Sequence, residues 1–212
     1  MTNTSMDKFK SPIIYIPDFV VEPGLVFSRL KNELDWVRHP LVPRSEYFCS
    51  KHPYSYSYGV PAYAREYKPQ PWHVDIDHIR SKLETFLGED LDVCFLNYYK
   101  DSSDHLNWHS DDSPELDDNY SIVTVSLGAE REIWFRPTIK EAMNVATDME
   151  VSVDDFEDFR KLFMEPEKVK LGHGSACVMK PGMQDTHQHR IPKASFICGE
   201  RISLTYRRFV KV

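Results

Sequence analysis

The spacing of apolar and polar positions splits the chain into an N-terminal part that reads as helical and a longer remainder that reads as strands. Near the start, Pro23 opens a predicted helix that turns Leu25, Leu30, Leu34 and Val37 toward one side. A second helix is marked more strongly by Ile76, Ile79, Leu83, Phe86 and Leu87, with Gly88 behind them as a C-terminal stop. Between the two lies an aromatic and proline-rich stretch, 47–72. In it Tyr54, Tyr56 and Tyr58 alternate with serine, which predicts a strand with these tyrosines on one face. After Gly88 the apolar runs become short, at 91–99, 120–127, 132–135, 175–179 and 201–210. Short strands parted by polar turns predict a sandwich or a jelly roll. One helix interrupts them: Ser152-Val153-Asp154-Asp155 has the form of a capping box, with Phe156, Phe159, Leu162 and Phe163 behind it. Helices first and strands later predict an α+β arrangement, with helices covering one face of a mainly antiparallel sheet.

Composition narrows the class without naming a chemistry. The chain has 212 residues, 41% of them hydrophobic, enough for one domain that buries a core without disulfides. Residues 1–212 therefore read as a single domain, with helices and a recognition segment in 1–90 and a strand-rich core in 91–212. No apolar run approaches the length of a membrane span, and the first residues lack the pattern of a signal peptide. A cytoplasmic protein (or a nuclear one, in a eukaryote) and a monomer are expected. Cys49, Cys94, Cys177 and Cys198 are far apart, which argues against a zinc site or a disulfide framework, and Cys94 and Cys177 sit in apolar runs.

The formal net charge of −7 at first argues against a polyanionic partner, but its distribution weakens that objection. Seven basic residues stand against two acidic ones from 180 to 212, and nine acidic against two basic from 141 to 167. A basic surface is compatible with that separation.

The candidate chemistry lies in the C-terminal half. His109 and Asp111 are two residues apart, so on extended backbone their side chains project to the same side. Together with a histidine from another strand, such as His189, they make a two-histidine, one-carboxylate set. Such a set leaves open positions on a non-haem Fe(II). A surface loop of polar residues accounts for the pair equally well when it is taken alone. Arg201 and Arg207, six residues apart on a terminal strand, can hold a dicarboxylate.

The order of these parts carries more than any one of them. Asn97 and Tyr99 come first, then His109 and Asp111, then His189 with Pro192, and finally 201–207, which reads Arg-Ile-Ser-Leu-Thr-Tyr-Arg. In this order the chain resembles the AlkB-like Fe(II)/2-oxoglutarate-dependent dioxygenases over roughly 91–210, with weaker similarity back to Pro43-Arg44. The resemblance implies a double-stranded β-helix (jelly roll) with an N-terminal nucleotide-recognition region. It implies Fe(II), 2-oxoglutarate and O2 as cofactor and cosubstrates. His109, Asp111 and His189 would be the iron ligands, with His187 as a rival third ligand. Arg207 would hold the distal carboxylate of 2-oxoglutarate, and Arg201 would lie near the metal-chelating end. Asn97 and Tyr99 would add hydrogen bonds, and Ser203 and Thr205 would complete that site. Ser203 stands where most relatives have Asn, so a contact there is shortened or bridged by water.

The implied activity is oxidative demethylation of N-alkylated bases in DNA or RNA, releasing formaldehyde, succinate and CO2, as in alkylation repair. A flipped base needs a flat platform, and Tyr56, with Tyr58 beside it, is the candidate; ordinary strand packing explains these tyrosines equally well. Ser113 occupies the position where relatives acting on cationic methylated bases commonly carry an acid. Between Arg136 and Leu171 the chain inserts an acidic segment, around 138–168, where relatives cross more directly. The same chemistry on a natural base modification, a protein or a small molecule is an alternative reading. A catalytically silent nucleic-acid-binding or partner-binding fold is another.

Overall fold

A computed structural model describes residues 11–40, 42–58 and 64–210. Strand β1 (Ile13–Ile16) leads into α1 (Pro23–Glu33) and β2 (Ser45–Ser50). The short strands β3 (Tyr56–Tyr58) and β4 (Arg65–Tyr67) follow, and then α2 (Val74–Leu87). The core continues with β5 (Val93–Tyr99), β6 (Leu106–His109), β7 (Ile122–Gly128) and β8 (Arg131–Pro137). The insertion forms α3 (Ile139–Asp148) and α4 (Phe156–Phe163). The chain ends with β9 (Glu167–Leu171), β10 (Ser175–Met179), α5 (Met183–Thr186), β11 (His187–Ile191) and β12 (Arg201–Arg207).

The strands form a major sheet in the order β1-β10-β7-β12-β5-β2 and a minor sheet in the order β6-β11-β8-β9, with β3 and β4 paired separately. All strand pairs are antiparallel. This is the jelly roll of the expected α+β class. Among the described residues, no helix is long and apolar enough to cross a membrane.

The two faces of the major sheet have different partners. On one face Leu96, Val125, Ile202, Leu204 and Tyr206 join Leu30 of α1 and Ile76, Ile79 and Leu83 of α2 in a single buried cluster. The other face looks toward the minor sheet, where Cys177 and Met179 meet Ile133, Phe135 and Ile191. Alternation along β12 therefore sends Arg201, Ser203, Thr205 and Arg207 to the face opposite Ile202, Leu204 and Tyr206. All seven residues of that strand are buried. A buried polar row is costly unless something satisfies it.

Both helices form, with adjustments at their ends. α1 stops at Glu33 because Leu34 is extended (ψ 141°), so its inward face is Val26 and Leu30. Leu25 and Val37 are half exposed, and Val37 instead pairs with Glu46 across an isolated bridge. In α2, Gly88 takes a left-handed φ of 70° and its N–H donates to the Glu84 carbonyl, a C-terminal stop that favours glycine. Phe86 is 53% exposed and meets Phe19 only edge-on. The capping box forms one turn early: the Asp155 N–H donates to Ser152 Oγ at 3.2 Å, and helix α4 begins at Phe156. The expected tyrosine strand is shorter than its pattern. Tyr54 precedes β3 and stacks on His52, Tyr56 is buried, and the side chain of Tyr58 lies outside the described residues.

One glycine is fixed by the junction of β7 with β12. Gly128 has φ +90°, and a Cβ there would come within 2.3 Å of the Glu200 carbonyl oxygen, beside Arg201. Only glycine accepts both the angle and the close approach.

Candidate metal centre

His109 ends β6, and Asp111 follows it two residues on. Across the ladder His109 is directly opposite His189 of β11. The two imidazoles are 4.2 Å apart, ring centre to ring centre, and His109 Nε2 lies 3.7 Å from Asp111 Oδ1. One ligand atom from each of His109, Asp111 and His189 fits within a mutual distance of 4.8 Å. Two nitrogens and one carboxylate oxygen on one side of a point suit Fe(II). Asp111 Oδ1 is buried and has no hydrogen-bond partner, an expensive arrangement that a cation would relieve. His187 stands outside this group: its Nδ1 faces the Thr186 hydroxyl at 2.8 Å.

The site is built to keep its donors deprotonated. Burial pushes the His189 imidazolium down to about 3, with the neighbouring His109 adding to the effect. Burial likewise lowers His109. For Asp111, burial alone would raise the carboxyl, but Arg207 foremost and then the two histidines outweigh it and hold it at about 2. Neutral imidazoles and an ionised carboxylate are the forms that bind a metal.

These shifts have a consequence for the metal-free protein. The unfolded chain protonates His189 near 6.5, whereas the folded chain resists protonation down to about 3. Stability is therefore expected to fall as pH drops below about 6.5, by at most ~1.4 kcal/mol per pH unit for this group. Asp111 adds a second loss between 3.8 and about 2, because the folded form keeps it ionised longest. Urea midpoints in the presence of a chelator, from pH 7 down to pH 4.5, should decline steadily. A flat profile would contradict the assigned burial.

The two arginines do not have the surroundings expected for them. Arg207 is expected to hold a free dicarboxylate, but its Nε and Nη2 both donate to Asp111 Oδ2, at 3.0 and 2.6 Å. One guanidinium thus grips the outer oxygen of Asp111 and leaves Oδ1 for the metal. Arg201, expected near the chelating end, is completely buried, and its Nε donates to Ser126 Oγ at 2.8 Å. Its Nη1 and Nη2 have no hydrogen-bond partner, and neither has the hydroxyl of nearby Tyr99, whose ring lies 5.1 Å from the guanidinium. Burial brings the Arg201 pKa down to about 10, so it still carries its charge. A cation with an unused fork beside an unused hydroxyl matches a carboxylate.

The remaining expected residues cluster around these. In register, Arg201 faces Tyr99 and Ser203 faces Asn97. Ser203 and Thr205 sit on the same buried face between the arginines. Asn97 is partly committed, because its Oδ1 accepts from Arg44 Nε at 2.5 Å and only its Nδ2 is left to donate. Arg44 also donates to Glu46 Oε1 at 2.8 Å, and Glu46 Oε2 in turn accepts from Arg65 and Tyr67. Gln184 Oε1 accepts the Asp111 backbone N–H at 2.9 Å and so fixes the ligand's main chain. Pro43-Arg44 carries a faint sequence signal for this support. Glu46 and Gln184 carry none, because neither lies in a spaced motif.

Above the metal position is a small cavity lined by Arg44, Tyr56, Phe95, Leu106 and Arg207 with His109 and Asp111. Tyr56 packs among Phe48, Tyr67, Phe95 and Phe209, and its hydroxyl is 2.9 Å from Ser113 Oγ. It is at once core packing and a wall of the cavity. Burial raises its phenol pKa, so it stays neutral.

A model of the 2OG-Fe(II) oxygenase superfamily matches residues 27–207. Alpha-ketoglutarate-dependent dioxygenase alkB homolog 3 of Rattus norvegicus is 27% identical over 208 residues, covering 93% of this chain and 64% of that protein. DNA oxidative demethylase ALKBH2 of Mus musculus is 27% identical over 142 residues, covering 67% of this chain and 53% of its own. The chain thus spans somewhat less than two thirds of the length of the rat relative. The solved structure of OsALKBH1 shares the fold, with a TM-score of 0.54 at 16% identity, covering 94% of this chain and 99% of that one.

Proposed function

The chain belongs to the 2OG-Fe(II) oxygenase superfamily, as an AlkB-like member, and on that premise we propose that it oxidatively demethylates N-alkylated bases in DNA or RNA. The observation that carries this reading is the convergence of His109, Asp111 and His189, with an unpartnered buried Arg201 fork on the same face of β12 as Arg207. His109, Asp111 and His189 would hold Fe(II), and Arg201 with Tyr99 would hold the distal carboxylate of 2-oxoglutarate. When bound, these groups supply O2-dependent hydroxylation of a nearby C–H bond, coupled to oxidation of 2-oxoglutarate to succinate and CO2; an N-methyl group so hydroxylated leaves as formaldehyde.

The protein's own part is to bind, orient and exclude. Arg207 keeps Asp111 ionised and turns Oδ1 inward. Asn97 Nδ2 and the Ser203 and Thr205 hydroxyls line the row between the arginines, with Arg44 bracing Asn97. Phe95, Leu106 and Tyr56 give the small cavity above an apolar wall against which an unstacked base would pack. The name of the mouse relative, an oxidative demethylase of DNA, supports the substrate class.

The test is to load the protein with Fe(II) and 2-oxoglutarate without air, then admit air with single-stranded oligonucleotides carrying N1-methyladenine or N3-methylcytosine. Loss of one methyl mass per lesion, with formaldehyde, is the expected result. Succinate without demethylation would move the reading to another substrate. No turnover with metal bound would leave a binding protein.

A further inference from the structure

One open cavity among the described residues contains none of the metal ligands. It is an open groove of about 550 Å³ that borders the outer face of the minor sheet through Glu132, Trp134 and Arg190. Strand alternation puts it there: His189 points inward and Arg190 outward, and on β6 His109 points inward and Trp108 outward.

Across that outer face the four strands build one continuous row. Arg190 of β11 is in register with Trp134 of β8, which is in register with Lys168 of β9. The Arg190 guanidinium lies 4.2 Å from the Trp134 ring centre and 4.8 Å from that of Trp108. Lys168 Nζ lies 4.5 Å from the Trp134 ring, and Arg136 lies 4.2 Å from Trp108. The row therefore alternates aromatic and cation. None of Arg136, Lys168 and Arg190 has a carboxylate within ion-pair distance among the described residues, and the Nε atoms of both arginines are unpartnered. Of the acids here, Glu132 accepts the Trp134 indole N–H at 2.7 Å, which fixes the ring edge, and Glu130 is taken up by Lys170 at 3.5 Å. Where the groove meets the segment after Pro192, Lys193 and the 59% exposed Phe196 add one more cation and one more ring.

On a chain of net charge −7, an uncompensated basic strip interleaved with rings is a local exception. Solvated lysines would give the charge but not the rings, and a protein-docking patch would give the rings without so many unpaired cations. Phosphates at a regular spacing with a flat base between them complement both.

We propose that the outer face of the minor sheet, along Trp108, Arg190, Trp134 and Lys168, binds a single-stranded nucleic acid segment flanking the base under reaction. The inference extends the proposed function and rests on its nucleic-acid substrate. Binding runs through the backbone and by stacking, so it is independent of sequence and needs neither metal nor lesion.

The test is anisotropy of a labelled, unmodified 12-nucleotide oligothymidylate with the whole 212-residue chain, between 50 and 200 mM salt. Arg190→Glu combined with Lys168→Glu is expected to weaken binding at least 10-fold at low salt. The salt slope should shrink by about 0.7 for each phosphate that the variant no longer neutralises. Trp134→Leu should weaken binding by roughly 5-fold or more and reduce the quenching of indole fluorescence. Lys168→Glu alone changes an exposed side chain and guards against misfolding, as do matched thermal midpoints. Binding by the wild type that none of these variants alters would overturn the outer-face assignment while leaving the nucleic-acid reading intact. Absence of oligonucleotide binding by the wild type at every salt concentration would also overturn the outer-face assignment, whereas the nucleic-acid reading falls only if the methylated oligonucleotides are not demethylated.

Discussion

Asp111→Asn is expected to strip the protein of iron and to lower 2-oxoglutarate turnover by more than 100-fold. The substitution keeps the shape of the side chain but removes the charge on the one anionic donor of the set. Because Arg207 donates twice to a single oxygen of Asp111, the amide of the variant keeps its carbonyl oxygen on the guanidinium and turns its NH2, which cannot ligate, toward the metal position. Changes to groups that merely orient a metal ligand already cost about 10- to 100-fold, and losing the ligand itself should exceed that. The measurements are metal content after gel filtration and succinate formed per minute. His187→Ala serves as the contrast, because His187 stands outside the cluster, and it should retain metal. Iron retained at wild-type stoichiometry in the Asp111 variant would refute the triad.

The second large effect separates the two arginines. Arg201→Ala should raise the KM for 2-oxoglutarate by roughly 30-fold or more while the protein still holds metal, because truncating one side of a buried charge pair costs about 2–5 kcal/mol. Arg207→Ala should act first on the metal, weakening its retention as Asp111 loses the partner that keeps it ionised and oriented. Arg201→Lys tests the geometry: it restores charge without the two-pronged donor and should recover only part of the affinity. The opposite pattern, with Arg207→Ala raising KM and Arg201→Ala releasing metal, would return the distal carboxylate to Arg207. Titrating metal and 2-oxoglutarate separately against both variants decides between them.

The two arginines mark where reading a strand from its letters stops. The motif puts Arg201 and Arg207 on one face at a spacing of six, and nothing in the string says which one meets Asp111. That pairing depends on how β12 crosses the segment after β6, two elements almost a hundred residues apart in sequence. Tyr56 is a similar case. Its alternation with serine is visible, but its place in both the aromatic cluster and the cavity wall comes from Phe48, Phe95 and Phe209 on other elements. The outer row of the minor sheet is invisible in the letters for the same reason, since Trp108, Trp134, Lys168 and Arg190 come from four strands whose registers are not written locally.

By itself the sequence determined the class of fold, most of the core of α2, the cap at Gly88, the strand character of most of the C-terminal half and the His109/Asp111 pair, while the resemblance supplied His189 as the third candidate ligand, with His187 as its rival. Apart from that resemblance, these are short-range consequences of period, turn chemistry and residue type. The tertiary structure decided which face of each strand is inside. Alternation along β12 groups Ile202, Leu204 and Tyr206 against Arg201, Ser203, Thr205 and Arg207, and ordinary patterning would leave the polar group to water. Here helices α1 and α2 cover the apolar face and the minor sheet covers the polar one, so both are buried. A period of two fixes which residues share a side. Only the packing of the second sheet turns the polar side into the interior of a site.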